Sequence, residues 1–200
     1  MRAAARKNRK QAIEEAALTL LQEQGYDGMS MLGVAKRAKA SNETLYRWYG
    51  DKRGLFKSLV ERNASIIKEQ LQADISLEKT AIETLKALGP TLIQVLTGPT
   101  AIALNRAAAS DASGDLGTAL ASAGRHAVLP PLSALMTRAQ AEGFLSGQAP
   151  ELAVRLYVSV LIGDLQVRQV TGASPPLTED NIVDRANWAW SIFSTLSEQA

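Results

Sequence analysis

The chain reads as an all-α protein, a small N-terminal helical domain followed by a larger helical one, about nine helices in total. Three observations predict this. Across the 200 residues the helix formers Ala, Leu, Gln, Glu, Arg and Lys dominate. Apolar residues recur at three- and four-residue spacing, and no segment alternates as a half-buried strand would. Gly and Pro stand between the periodic runs rather than throughout them. The length suffices for one ordinary core, or for a small domain joined to a larger one.

The first helix spans 7–24, where Ile13, Ala17, Leu20 and Leu21 mark the inner face and Gly25 is placed to stop it. Ser30 can cap a second helix with Val34, Ala35 and Ala38 inward, and Ser41 a third with Leu45 and Tyr49 inward. Asp51 caps a fourth that opens with Leu55, Phe56, Leu59 and Val60. The short second and third helices, linked by Lys39-Ala40, form a helix-turn-helix. Further helices are expected near 77–97, 100–111, 115–143, 150–171 and 178–198, with Pro90 and the Pro130-Pro131 pair kinking or breaking theirs. Nothing repeats at a fixed period, which argues against a solenoid.

The net charge of +2 hides an asymmetry. Residues 1–62 hold 13 Lys/Arg against 7 Asp/Glu, a net +6, while residues 63–200 hold 9 against 13, a net −4. A basic head on an acidic body points to a polyanionic partner at one end. The alternative is a merely solubilising face. There is no Cys, which excludes disulfides, thiolate metal sites and a Cys nucleophile, and His126 is the single His. No paired carboxylates or phosphate-binding Gly loop appear either, so the reading is not an enzyme and needs no cofactor or metal. The N-terminal stretch lacks a secretory apolar region and no long apolar run follows, so the expectation is a cytoplasmic protein without a membrane partner.

In a helix-turn-helix the second helix enters the major groove, where base edges carry a distinguishable donor and acceptor pattern. With Leu45 and Tyr49 inward, Asn42, Glu43, Thr44, Arg47 and Trp48 face outward or sideways. Arg47 suits a bidentate contact to guanine, Glu43 can accept from cytosine, and Thr44 can touch a thymine methyl or a phosphate. Tyr46 offers a hydroxyl and Lys52 a cation to flanking phosphates. Ser30, Ser41 and Asp51 sit where helix N-termini concentrate partial positive charge. The basic residues Arg2, Arg6, Lys7, Arg9 and Lys10 suit an arm laid along or into the double helix, with a solvated terminus as the simpler reading for the free protein.

The run Gly25–Glu61 resembles the DNA-binding domain of the TetR/AcrR family of transcriptional regulators. Gly25, Ser30, Val34-Ala35, Thr44-Leu45-Tyr46, Tyr49, Lys52 and Leu55-Phe56 carry the resemblance. It implies a domain division of 1–50 for DNA binding and 51–200 for ligand binding and dimerisation. It also implies phosphate contacts for Tyr46 and Lys52, and base or near-base contacts for Asn42, Thr44, Arg47 and Trp48. One departure stands out: Lys39 occupies the place of a turn Gly. Either the turn adjusts or a Lys sits at positive φ at some cost.

Leu135–Gly172 resembles an AcrR-like ligand-binding domain, which implies that the last two helices pair with those of a second copy. Tyr157, Leu161, Leu165, Trp188, Trp190 and Phe193 are the candidate dimer residues, since rings and aliphatics on more than one helix face exceed what one core needs. A small-molecule site implied by the family would draw on Leu71, Leu88, Leu104, Met136 and Tyr157, with Arg125 and His126 as polar anchors, and an apolar or amphipathic effector suits it. The resulting reading is a ligand-responsive repressor that binds a palindromic operator on double-stranded DNA as a homodimer. The alternative is a non-specific nucleic-acid-binding or structural helical dimer.

Overall fold

The computed structural model describes residues 2–144 and 148–198, all-α with no strand among them. The order is α1 (Arg2–Gly28), α2 (Met31–Arg37), α3 (Asn42–Tyr49), α4 (Lys52–Ser76), α5 (Ala81–Thr97) and α6 (Pro99–Ser110). Then come α7 (Asp115–Leu120), a π turn (Ala121–Arg125), α8 (His126–Ala141), α9 (Pro150–Ile162), α10 (Leu165–Val170) and α11 (Glu179–Glu198). The excess over about nine helices has two local causes. Gly163, at φ 50, divides the expected 150–171 helix into α9 and α10, and the π turn interrupts the rod from 115 to 141.

Two compact units emerge, residues 1–63 with 103–124, and residues 64–102 with 125–200. This division differs from the one expected at residue 50. The first half of α4 buries Leu55, Phe56, Leu59 and Val60 in the core that holds α1–α3, and Leu104, Ala107 and Leu116 pack into that same core.

In the first unit α1 begins at Arg2, so the basic stretch is helix rather than a loose arm; the Arg2 side chain lies outside the described residues. Gly25, at φ 70 and ψ 179, breaks α1 where the sequence places a stop, and three further residues re-form a turn beyond it. Ile13, Ala17, Met29, Val34, Leu45, Leu55 and Phe56 are each at most 1% exposed and form the centre of this core. A polar tie crosses it: the buried Glu14 carboxylate accepts the Ser58 hydroxyl at 2.6 Å and lies 3.8 Å from Arg62, so α1 and α4 are registered against each other.

The second unit packs α5, α8, α9 and α11 around Leu85, Leu88, Leu92, Met136, Leu161 and Phe193. Helix α5 starts with a reciprocal cap between Thr80 and Glu83, and the Glu142 carboxylate accepts the Ala81 N–H at 2.9 Å. Pro90 and Pro130-Pro131 lie inside α5 and α8, and neither helix ends there. Helical φ suits the pyrrolidine ring, and the carbonyl that Pro90 leaves without a donor belongs to the exposed Lys86. Among the described residues no single helix is long and apolar enough to cross a membrane.

Candidate nucleic-acid interface

The helix-turn-helix forms where the sequence places it, and capping sets its boundaries. Ser30 accepts the Gly33 N–H at 3.0 Å to start α2, and Ser41 accepts the Thr44 N–H at 3.1 Å to start α3. Asp51 accepts the Gly54 N–H at 2.7 Å, so its carboxylate is engaged in the first turn of α4. Gly54 is needed there: a Cβ at that position would sit 1.9 Å from the Tyr49 carbonyl, the close approach by which α3 passes into α4.

The turn from α2 to α3 is a Schellman motif. The Ala40 N–H reaches the Ala35 carbonyl at 2.9 Å and the Lys39 N–H reaches the Lys36 carbonyl at 3.2 Å. Lys39 therefore takes the left-handed position, φ 49, that Gly usually fills. The turn keeps its shape, and the side chain bears the cost.

Helix α3 presents two unlike faces. Leu45 is fully buried, and Tyr49 is half-buried with its hydroxyl enclosed and making no hydrogen bond among the described residues. That enclosure, reinforced by the Glu14 charge and opposed by Arg62, pushes the Tyr49 phenol well above its ordinary range. On the other face Asn42, Glu43, Tyr46 and Arg47 are exposed, Tyr46 by 50%. Thr44 is half-buried, its hydroxyl 2.8 Å from that of Ser41.

Two site residues carry duties the sequence did not disclose. Trp48 is half-buried and packs on the core. Lys52 donates to the Tyr26 carbonyl at 2.8 Å and lies 4.2 Å from the centre of the Tyr26 ring, which meets Phe56 edge-on. One of its three ammonium donors is thus spent inside the domain, and two remain. Arg37 grips Glu23 with two bonds of 2.6 and 2.9 Å, fastening α2 to α1 and holding the Glu23 carboxyl below the usual carboxylate range.

The first turns of α1 hold two residues that the sequence suggests only as part of a DNA-contacting arm, and whose contacts within the domain it did not disclose. Arg9 donates to the Lys39 carbonyl at 2.9 Å, and the Arg6 guanidinium lies 5.7 Å from the centre of the Trp48 ring. Their three-residue separation on one helix was the available signal, but its target lies in another element.

The other candidates sort by burial. Leu71, Leu88, Met136 and Tyr157 belong to the core of the second unit, whereas Leu104 belongs to that of the first. Arg125 and His126 are exposed at the π turn and the start of α8, so they do not face the apolar cluster as anchors. Tyr157, Leu161 and Phe193, at 2% exposure or less, are taken up by the chain's own core and are not open to a partner. Trp188 is 50% exposed, and Leu165 and Trp190 are half-buried. Among the described residues no group of three or more His, Asp or Glu is gathered as a metal site requires.

A reading helix with a buried seam and an open polar face, in an all-α chain, defines a helix-turn-helix transcriptional regulator. Residues 13–59 match the family of bacterial regulatory proteins, tetR family, and residues 83–195 match the C-terminal domain of the AefR-like transcriptional repressors, so the chain belongs to the TetR family. The second match gives a narrower description of the C-terminal part than its likeness to AcrR-like domains. Solved structures agree. A TetR transcriptional regulator from Agrobacterium tumefaciens is 28% identical, with TM-score 0.75, over 94% of this chain and 93% of that one. The flavonoid-responsive regulator FrrA is 26% identical, with TM-score 0.65, over 95% and 97%. A TetR-family regulator from Mesorhizobium loti shares the fold at 23% identity and TM-score 0.77, over 95% and 96%. No curated protein sequence matches the chain. Members of this family act as DNA-binding regulators, not enzymes.

Proposed function

We propose that the protein is a ligand-responsive repressor that binds a palindromic operator as a homodimer. The exposed set Asn42, Glu43, Tyr46 and Arg47, set opposite the fully buried Leu45, carries this reading. Arg47 pairs with guanine and Glu43 with cytosine, Asn42 and Thr44 touch the bases beside them, and Trp48 packs at their edge. Tyr46 and the remaining donors of Lys52 hold phosphate, while Ser30 and Ser41 set the helix starts that approach the backbone.

Dimerisation rests on what α9 and α11 leave uncovered. Leu152, Leu156 and Val160 recur every four residues on α9, with Leu152 56% exposed, and Trp188 and Ile192 on α11 are 50% and 41% exposed. Leu152, Trp188 and Ile192 in the open, with Leu156 and Val160 half-buried beside them, suit a second copy of the same two helices. Two heads then address two half-sites, which raises affinity without new base contacts. Recognition falls to α1–α3 together with Lys52 at the start of α4, the effector and dimer functions fall to the second unit, and the site of action is the cytoplasm. The effector is an apolar or amphipathic small molecule. The apolar centre formed by Leu71, Leu88, Met136 and Tyr157 supports that, as does the likeness to FrrA, a flavonoid-responsive protein.

Selection of bound duplexes from a random pool tests the reading. Enrichment of two inverted half-sites is expected; equal binding of selected and scrambled duplexes at fixed salt would instead indicate a non-specific coating protein. Candidate small molecules are then scored by release of the selected duplex.

A further inference from the structure

We infer that Arg6 and Arg9 are positioning residues for sequence recognition: from one face of α1 they hold the α2–α3 turn and the reading helix, acting through Trp48 and Lys39 rather than through phosphate. This rests on the reading of α3 as the recognition helix. Both arginines belong to the basic N-terminal stretch, whose charge by itself suggests contact with nucleic acid. Their geometry gives them another task.

Lys39 is the weak point of the motif. It occupies the left-handed position of a Schellman turn at φ 49, where an L side chain crowds its own backbone. The Arg9 guanidinium donates to the carbonyl of that same residue at 2.9 Å, a charge-assisted bond that favours the strained conformer over a relaxed one. The carbonyl is also the last but one before the Ser41 cap, so its direction sets where α3 begins. Three residues earlier on α1, Arg6 lies over Trp48 at 5.7 Å, within cation–π range. Trp48 is half-buried and adjoins Arg47, the exposed guanine reader. The two contacts therefore bear on the start of α3 and on its last turn.

The lever itself is rigid. Ile13 and Ala17, one and two turns further along α1, are fully buried, so the position of Arg6 and Arg9 is inherited from the core. Two further basic groups of α1 and α2 are otherwise engaged: Arg37 pairs with Glu23, and Lys10 lies 3.6 Å from Glu14. Base contacts require bidentate geometry and fail with small displacements, whereas phosphate contacts tolerate them. Loosening α3 should thus erode discrimination before it erodes general affinity.

The experiment uses the full chain, a duplex selected from the random pool and its scrambled counterpart. The readouts are the ratio of their affinities at fixed salt and the salt slope of the specific complex. Arg9→Met is expected to lower the ratio about five- to tenfold, part of one bidentate pair, while leaving the slope unchanged. Adding Lys39→Gly to Arg9→Met should restore most of the ratio, because Gly takes the left-handed turn without support. Arg6→Met should act in the same direction and not be rescued by Lys39→Gly. A slope reduced by about one on Arg9→Met would mean a phosphate contact and overturn the inference. So would an unchanged ratio, or a loss that Lys39→Gly does not repair. If the unaltered protein itself fails to discriminate the two duplexes, the reading of α3 falls first and this inference with it.

Discussion

Tyr157→Phe removes one oxygen from the centre of the second unit, and its cost follows from the contacts. Tyr157 is 2% exposed, and its hydroxyl donates to the Leu85 carbonyl of α5 at 2.7 Å. Phe keeps the ring against Phe193, 4.8 Å between centres, and against Trp190 at 6.3 Å, so packing is nearly preserved. What is lost is the hydrogen bond, about 1 kcal/mol net, because the Leu85 carbonyl lies inside α5 and keeps its helical donor. For a chain of this size each 1 kcal/mol lowers the midpoint by about 2–4 °C. Tyr157→Ala, which also opens a cavity, should cost about 3–5 kcal/mol. Urea unfolding followed by circular dichroism measures both, with an unchanged slope on denaturant for the Phe variant.

Alkaline pH supplies a second readout of the same side chain. Burial raises the Tyr157 phenol, so the folded chain holds that proton more tightly than the unfolded chain, whose tyrosines titrate near about 10. Stability from this source is complete below pH ~10 and declines as pH climbs toward the folded value. Tyr157→Phe should therefore weaken the alkaline destabilisation, with Tyr49 and Tyr26, both raised chiefly by burial, contributing to the remainder. A Phe variant as stable as the parent, with the same alkaline decline, would refute the role of the hydroxyl as a strut between α9 and α5.

Arg47→Ala should relax preference at one position of each half-site, read from duplexes selected with the variant; an unaltered preference there would remove Arg47 from base reading. Lys52→Ala should weaken all duplexes alike and flatten the salt slope by about one, and an unchanged slope would mean the ammonium serves only Tyr26. Trp188→Glu places a charge on the exposed apolar face of α11 and should shift the chain toward monomer in sedimentation at micromolar concentration, without a lower unfolding midpoint for the monomer. Lys39→Gly, alone, should stabilise the first unit by roughly 1 kcal/mol by relieving the left-handed turn, as measured by thermal unfolding.

The helix-turn-helix was legible because its signals are local. Ser30, Ser41 and Asp51 announce helix starts through side chains that reach three residues ahead, and Leu45 and Tyr49 mark one face by their four-residue spacing. In the body the equally local signals of Thr80 and Glu83, which cap α5, and of Gly163, which ends α9, stood in the sequence but were not read from it, so α5 was expected to begin near 77 and α9 to run on to 171. Locality also explains why the sequence left kink and break open at Pro90 and Pro130-Pro131, since a proline tolerated inside a helix looks the same in sequence as one that breaks it.

Composition and spacing by themselves determined the all-helical class and the outward polar face of α3, each depending on residues within about a turn or two of one another, and the charge difference between the two ends of the chain, which is a plain count. Tertiary structure alone decided which apolar residues are spent inside the protomer: Tyr157, Leu161 and Phe193 go to the core, and Trp188 does not. It also turned Arg9 toward Lys39 and Lys52 toward Tyr26, partners 30 and 26 residues away. Such pairings arise from how helices cross, and a helical period records which face a residue lies on but not what that face will meet.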